Sequence, residues 1–523
     1  MSRAYNSQRE LQQKIMRGVD TLADNVASTL GPKGRNVLLQ EKGQTPFVTK
    51  DGVTVAHFVA CDDPFENAAA QIIKQAAVQT NTDAGDGTTT ATVLARAILR
   101  EAQRYITAGV SPIELQRGIE LATQQITARL KEAATPITST DDIAHIATIS
   151  ANNDETIGDL IALAVDKVGQ DGSITIEESR SLETSLDITE GFRFDAGYCA
   201  GAFITDERRG VMNYEEPLIL VTDHKISAVE GILPILELVA REARPLVIIA
   251  EEIEGQALAA MIMNAMRGTL KIAAIKAPLY GEERRNVLSD LALSTGAAFV
   301  TRSDGAKLQE VKLQDLGSAK SIESTKYGTT IVGGNANYEL IEQKIESLKH
   351  EVKNANTLAE GARIQERVVR LASGVAVIRV GGATEVEMTE KKHRIEDALE
   401  AVNSAQDEGI VCGGGVALLR ASHALDIATP NSDQVLGAQI VAEACKEPIR
   451  QMALNAGESP DIIVEKVLKA KTNYGWDFRD GELKDLYKTG VVDPVKVTRT
   501  ALQNAASCAG TLLTTNFGII QTE

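Results

Sequence analysis

No Gly-Lys dipeptide occurs anywhere in the 523 residues, so the GxxxxGK phosphate loop is missing and P-loop NTPases are excluded. Basic charge is short as well. Lys plus Arg number 54 against 72 Asp plus Glu, and the resulting formal charge of -18 repels a phosphate backbone, which argues against nucleic acid as a partner. The few cysteines, Cys61, Cys199, Cys412, Cys445 and Cys508, stand singly and never at metal-ligand or redox-motif spacing. Reduced thiols of a cytosolic protein are therefore expected, not zinc ligands or a CxxC centre. Residues 1–20 hold no apolar block of signal-peptide length, and Glu10 and Asp20 interrupt any Arg-rich targeting helix. Nowhere does the chain approach the roughly 20 uninterrupted apolar residues of a membrane span. The expectation is an untargeted cytoplasmic chain without membrane contact.

What the chain does have is length, since one core usually serves roughly 100–200 residues and several domains are expected here. Leu11, Ile15, Val19, Leu22 and Val26 fall at helical spacing and predict a helix over 8–30, stopped by Gly31-Pro32. Val93, Leu94, Ile98, Ala102 and Ile106 predict another over 88–106, and the first 130 residues read as mostly helical. In the middle, short apolar runs at 218–221, 246–250, 272–275 and 297–301 alternate with helix-length segments at 228–242, 254–267 and 283–294, the rhythm of βαβ units around a largely parallel sheet. From about 338 the pattern is helical again: Leu340, Ile341, Ile345, Leu348 and Val352, a polar break at 354–356, then Ile364, Val368 and Leu371 predict a helical hairpin. Ala- and Leu-rich helix closes the chain from about 409. The fold class is multidomain, α and α/β. Gly191, Gly374 and Gly409 stand at the seams, as hinges or as ordinary turn glycines.

The chemistry-bearing segment is Ala84-Gly85-Asp86-Gly87-Thr88-Thr89-Thr90, directly before the helical stretch 91–106. Unpaired N–H groups and the positive end of the helix dipole favour an anion there, two glycines let backbone approach it, and the hydroxyls add donors. Asp86 is a hard oxygen ligand of the kind that holds Mg²⁺ together with phosphates. The alternative is an ordinary N-cap. Thr29-Leu30-Gly31-Pro32-Lys33-Gly34 and Cys412-Gly413-Gly414-Gly415 are further glycine-rich turns, as phosphate contacts or plain helix ends, with Asp51 and Asp397 as acidic neighbours. Phosphoryl transfer to water needs metal ligands and a carboxylate that orients the water, which gives these acids a shared purpose. In 257–266 nine of ten residues are apolar, Asn264 being the exception, whereas one stripe suffices to face a sheet. The surplus is binding surface for apolar segments, or core.

Taken in order, TLGPKGRNV (29–37), TKDGVTVA (49–56), AGDGTTTATVLA (84–95), ISANND (149–154), ITIEE (174–178), GVAVIRVGGATEVEM (374–388), EDALEAV (396–402), CGGGVAL (412–418) and DPVKVTR (493–499) resemble the group I chaperonins, the bacterial and organellar 60-kDa heat-shock class. The resemblance implies a mostly helical equatorial domain at 1–132 and 409–523, a small α/β intermediate domain at 133–190 and 375–408, and an α/β apical domain at 191–374, with hinges at Pro136, Gly191, Gly374 and Gly409. It implies an ATPase. Thr29, Leu30, Gly31 and Pro32 would wrap the phosphates, with Gly87, Thr88, Thr89 and Thr90 as donors, Asp86 on Mg²⁺, and the Thr29 and Lys50 backbone oxygens on K⁺. Gly414 and Asp493 would meet the ribose, Ile149 would pack nearby, and Asp477, Phe478 and Arg479 would lie at the base. Asp397 would align or deprotonate the water, assisted by Asp51. Tyr198, Phe203, Leu233, Leu236, Leu258, Ile262, Met263 and Asn264 would form the groove for non-native polypeptides and a 10-kDa co-chaperonin lid. The implied partners are copies of itself, in rings of about seven.

Departures from the family's pattern are also legible. Ala200 and Ala202 stand where a Ser and an aromatic are common, and Ala196 replaces an Arg that pairs with the position of Glu385, which implies a weaker restraint on the closed state. Trp476-Asp477-Phe478-Arg479 is bulkier than usual at the base. Arg450 is retained, but Ser459 occupies its customary acidic partner's position across the ring interface. A divergent or virus-encoded member, in a bacterial or infected host cytoplasm, is consistent with this pattern.

Overall fold

The stripe that begins at Leu11 forms the helix Gln8–Ala27, with Leu11, Ile15, Val19, Leu22 and Val26 buried. It ends before Gly31-Pro32. The Thr29 hydroxyl turns back onto the Val26 carbonyl at 2.8 Å, and the Thr29 and Leu30 amides bond the Val26 and Ala27 carbonyls, tightening the last turn to i→i+3 spacing. The computed structural model describes residues 2–43, 46–169, 173–179, 181–353, 357–372, 374–425, 427 and 429–522. The polar break expected at 354–356 lies outside the described residues.

Contacts divide the chain into two compact units: Met1–Leu163, Arg180–Glu183 and Val380–Glu523 form one, Ala164–Ser179 and Thr184–Arg379 the other. Segments far apart in sequence thus share a unit, and the stretches 133–190 and 375–408 are divided between the two.

In the first unit the helices Gln8–Ala27, Pro64–Ala84, Thr88–Thr107, Pro112–Glu132, Ser432–Ala444 and Val495–Leu513 bury their apolar stripes in one core that includes Leu22, Ile73, Leu94, Ile98, Ile119, Ile126 and Leu502. Each such side chain removed from water contributes about 1.5–3 kcal/mol before entropy is charged against it. Short strands then place the loops. Phe47–Thr49 pairs antiparallel with Val37–Leu39 and delivers Lys50 and Asp51; Ile410–Cys412 pairs antiparallel with Val492–Pro494 and sets Asp493 opposite Val411. The two ends of the chain are joined by a third pair, Ser2–Ser7 against Phe517–Thr522. Among the described residues, no helix is long and apolar enough to cross a membrane.

The second unit is built on one sheet. Its order among the described residues is Ile272–Lys276, Leu246–Ala250, Leu218–Thr222, Gly317–Ser324, Thr329–Gly334, Ser185–Phe194, Gly374–Val380, Ser173–Glu178. The predicted βαβ half is present: Leu218, Leu246 and Ile272 lie in parallel register, and Phe299–Val300 joins parallel to Leu218–Thr222. Leu218–Thr222 and Leu246–Ala250 are buried along their whole length, as parallel strands covered on both faces must be. The helices Leu233–Glu242, Gly255–Met266 and Gly281–Thr295 pack Ile235, Val239, Met261, Leu288 and Leu291 against this sheet. The hairpin helices Tyr338–Lys353 and Leu358–Ala372 are also present, and the second is fixed by Arg367, which grips the buried Asp290 carboxylate through Nε and Nη2, each at 2.8 Å.

The four hinge candidates meet in pairs. Gly409, at φ 80° and ψ -170°, ends the helix Glu385–Glu408 in a conformation open almost only to glycine, and Thr135, next to Pro136, bridges to Ile410. Gly191 and Gly374 sit in neighbouring antiparallel strands, where a Cβ on Gly191 would stand 2.2 Å from the Val375 side chain. Close packing by itself already requires a glycine at 191.

The groove residues divide. Leu233 and Met263 are exposed at 47% each, and Tyr198, Leu258 and Ile262 are half-buried, while Asn264 turns its amide back onto the Ala260 carbonyl. Phe203 and Leu236 do not fit the expectation: at 1% and 6% exposure they are core residues. Phe203 ends a short 3₁₀ turn packed against the sheet, and Leu236 shares the inward side of its helix with Ile235 and Val239. Of the surplus apolar surface on 255–266, Met263 and Met266 remain in solvent, Met266 at 72%.

Candidate nucleotide site

The helix Thr88–Thr107 begins without a side-chain cap. Its N-cap is Gly87 at φ 86°, so the capping alternative for Asp86 does not hold, and the first-turn N–H groups of the helix are left for a ligand. Asp86 instead accepts from the Gly87 amide at 2.5 Å and from the Ser150 hydroxyl at 3.1 Å. Burial pushes its carboxyl above the ordinary carboxylate range, the two hydrogen bonds oppose this, and the Asp51 charge adds to the push. A half-buried carboxylate held near a second one is a place where a cation lowers the energy of the charged form.

One cavity collects the rest. It is lined by Thr29 to Pro32, Lys50, Asp51, Asp86 to Thr90, Ile149, Asp397, Gly414, Asp477 to Arg479 and Asp493, so every nucleotide-site residue expected from the sequence lies on its wall. Asp51, Asp86 and Asp397, from three distant stretches, share that wall. Asp51 also caps its own helix Gly52–Phe58, accepting from the Val53 and Thr54 amides at 3.1 and 3.0 Å. Gly52 is required here, because a Cβ would lie 2.4 Å from the Thr89 hydroxyl. The Lys50 ammonium donates to the Gly31 carbonyl at 3.0 Å, and burial lowers its pKa.

Asp397 is carried by the helix Glu385–Glu408, which is fastened to the phosphate turn at two points. The Ser404 hydroxyl donates to the Ala84 carbonyl at 2.8 Å, and the approach of Glu400 to Gly85 is close enough that a Cβ at 85 would stand 2.0 Å from that side chain. At the base end, Asp477 is 2% exposed and accepts from the Arg479 amide, Nε and Nη2, while Phe478 is packed in an apolar cluster with Val416, Ile449 and Trp476. The bulky segment thus forms a finished wall. Ser150, Asn153, Glu390, His393 and Arg394 line the same cavity and were not singled out from the sequence. The last three stand one or two turns before Asp397 on its helix, a spacing that could have flagged them.

Asp493 is half-buried on the cavity wall. Burial and the Asp86 charge raise its carboxyl to about 7, against one hydrogen bond from the Gly414 amide. A raised folded-state pKa means that stability is full below the unfolded value near 3.8 and is lost as pH rises through about 7. In chelator and without nucleotide, wild type should therefore lose melting temperature between about pH 4 and 7, whereas Asp493→Asn, which keeps the acceptor for Gly414, should lose less and should exceed wild type at pH 8. Parallel melting curves at pH 5 and pH 8 would refute this.

Among the described residues no three His, Cys, Asp or Glu side chains gather into a metal cluster. Magnesium does not need one, since it is commonly held by one or two carboxylates completed by phosphates and water. Asp86, charged at a cost and facing the cavity, fits that role.

Arg450 is engaged within the chain: it pairs with Glu443 at 2.7 Å, Glu447 at 3.0 Å and Asp461 at 2.9 Å.

Among solved structures, the chaperonin gp146 from the bacteriophage EL 2 (Pseudomonas aeruginosa), crystallised in the presence of ATP-BeFx, is similar over 99% of this chain and 99% of its own, with 22% identity and a TM-score of 0.64. At that identity the likeness is one of fold. The TCP-1/cpn60 chaperonin family matches residues 22–522, nearly the whole length, and the chain belongs to that family.

Proposed function

We propose that the chain is an ATP-hydrolysing chaperonin subunit that binds non-native polypeptides and promotes their folding. The observation that carries this reading is the uncapped N-terminus at Thr88–Thr90 beside the half-buried Asp86, with Asp51 and Asp397 on the same wall. The first-turn amides and Thr88, Thr89 and Thr90 hold phosphate oxygens, assisted by the turn at Thr29–Pro32, and Gly414 and Asp493 meet the ribose. Magnesium on Asp86 would supply neutralisation of phosphate charge, and Thr29 and Lys50 would offer backbone oxygens to potassium. Asp397 accepts the proton of the attacking water, and Asp51 assists.

In this reading the chain has equatorial (1–132, 409–523), intermediate (133–190, 375–408) and apical (191–374) domains, moves at Pro136, Gly409, Gly191 and Gly374, and forms rings of about seven copies in the cytoplasm. Leu233, Leu258, Ile262 and Met263 offer apolar contacts to clients and to a 10-kDa-type lid. Methionines such as Met263 and Met266 suit a surface that repacks around many partners. The test is refolding of an aggregation-prone substrate with ATP and a co-chaperonin. Yield above the spontaneous level is expected. Client capture without ATP-dependent yield would replace this reading with that of a passive scaffold, which Ala196 and Ala202 and the core positions of Phe203 and Leu236 favour.

A further inference from the structure

Asn153 lies in the corner between the helices Thr140–Ser150 and Glu155–Val168, on the wall of the nucleotide cavity. Its side-chain oxygen is closed to bulk solvent and has no hydrogen-bond partner among the described residues. A buried acceptor of this kind is expensive unless a ligand or an ordered water completes it. The backbone holds it in place at a price of its own: Asn152 and Asn153 are consecutive left-handed residues, at φ 59° and 66°. The Asn153 amide is fixed to the Thr148 carbonyl at 2.8 Å and that of Asn152 to Ile149 at 3.2 Å. The next residue ties the corner to the helix that bears Asp397. Asp154 accepts from Arg394 Nη1 at 3.0 Å, and Arg394 stands one turn before Asp397. Asn153 and Asp397 are thus carried by two elements joined by an ion pair, and both line the cavity.

We propose that Asn153 is a second residue holding the water that attacks the terminal phosphate: its carbonyl oxygen accepts one hydrogen of that water while Asp397 takes the other proton. In the step, the bond from the water oxygen to the γ-phosphorus forms and the bond from that phosphorus to the bridging oxygen breaks. ADP leaves with the bonding electron pair, phosphate is released, and the proton on Asp397 passes to solvent. This assignment rests on the ATPase reading. It adds to it a specific acceptor and gives the paired left-handed residues a purpose, since they aim the amide inward.

The test compares Asn153→Gly, Asp397→Ala and the double variant. Glycine keeps the positive φ and removes only the amide. For Asn153→Gly, kcat is expected to fall by about tenfold while KM, the dissociation constant of ADP and the melting temperature stay within error. In the Asp397→Ala background the same change should have almost no further effect, because both residues act on one water. Wild-type kcat in Asn153→Gly overturns the assignment and leaves the ATPase reading intact. So does a joint loss of kcat, ADP affinity and melting temperature, which would mark Asn153 as structural, and so does a fully multiplicative loss in the double variant. If the wild-type protein itself neither binds nor hydrolyses ATP, the ATPase reading fails first and this assignment with it.

Discussion

Asp397→Ala is expected to lower kcat for ATP hydrolysis by about 10²-fold or more while nucleotide affinity changes by no more than about twofold. The reason is where Asp397 stands. It lines the cavity from the helix Glu385–Glu408, and two attachments of that helix are made by other residues, Arg394 to Asp154 and Ser404 to Ala84. Alanine is the best helix former, so the helix and its attachments survive the change. The ligands expected to bind phosphate, at Thr29–Pro32 and Gly87–Thr90, lie on other elements and are untouched. Phosphate release under single-turnover conditions reads the chemical step, and fluorescence or calorimetric titration with ADP reads binding. Unchanged turnover would remove Asp397 from the mechanism.

The second large effect concerns stability. Gly118 on Pro112–Glu132 and Gly437 on Ser432–Ala444 let two helices cross at backbone contact. A Cβ on Gly437 would lie 2.3 Å from the Leu115 carbonyl oxygen and 2.9 Å from the Gly118 Cα; one on Gly118 would lie 2.1 Å from the Gln434 carbonyl oxygen. These obstacles are backbone atoms, so the helices must separate. Gly437→Ala should gain about 1 kcal/mol of helix propensity and lose more than that to overpacking, which costs about 1–3 kcal/mol and occasionally more. A net loss is expected, read as a lower denaturant midpoint at unchanged slope, with Gly437→Leu lower still. Gly231, with nothing within 4 Å of its Cβ position, is the control, and Gly231→Ala should stay within about 0.5 kcal/mol of wild type. A Gly437→Ala protein as stable as wild type would show that the crossing is not tight.

Much of the fold was legible because its signals are local. The stripe from Leu11 to Val26, the apolar runs at 218–221 and 246–250 and the hairpin helices were all readable from the local apolar pattern. The other half of the large sheet was not. Gly317–Ser324 alternates buried and more accessible residues without a strong apolar run, and its partners arrive from Thr329–Gly334, Met212–Glu215 and Leu218–Thr222, so long-range pairing, not local propensity, makes it a strand. At the site, the phosphate turn could be read because glycines and hydroxyls stand consecutively before a helix. Asn153 could not, since an orphaned acceptor exists only once the chain has folded, and the same holds for the ion pair that ties Arg394 to Asp154 across 240 positions. The apolar helices show the opposite error. The family resemblance placed Leu236 and Phe203 in an apolar groove, and packing against the sheet took both into the core.

The most direct measurement is a structure of the protein with Mg²⁺ and ATP-BeFx or a similar analogue. The account predicts one nucleotide per chain with its phosphates on the N-terminus of Thr88–Thr107, the metal on Asp86, and Asp397 facing the terminal phosphate. A nucleotide bound elsewhere, or phosphates on Thr88–Thr90 with Asp397 turned away from them, would contradict it.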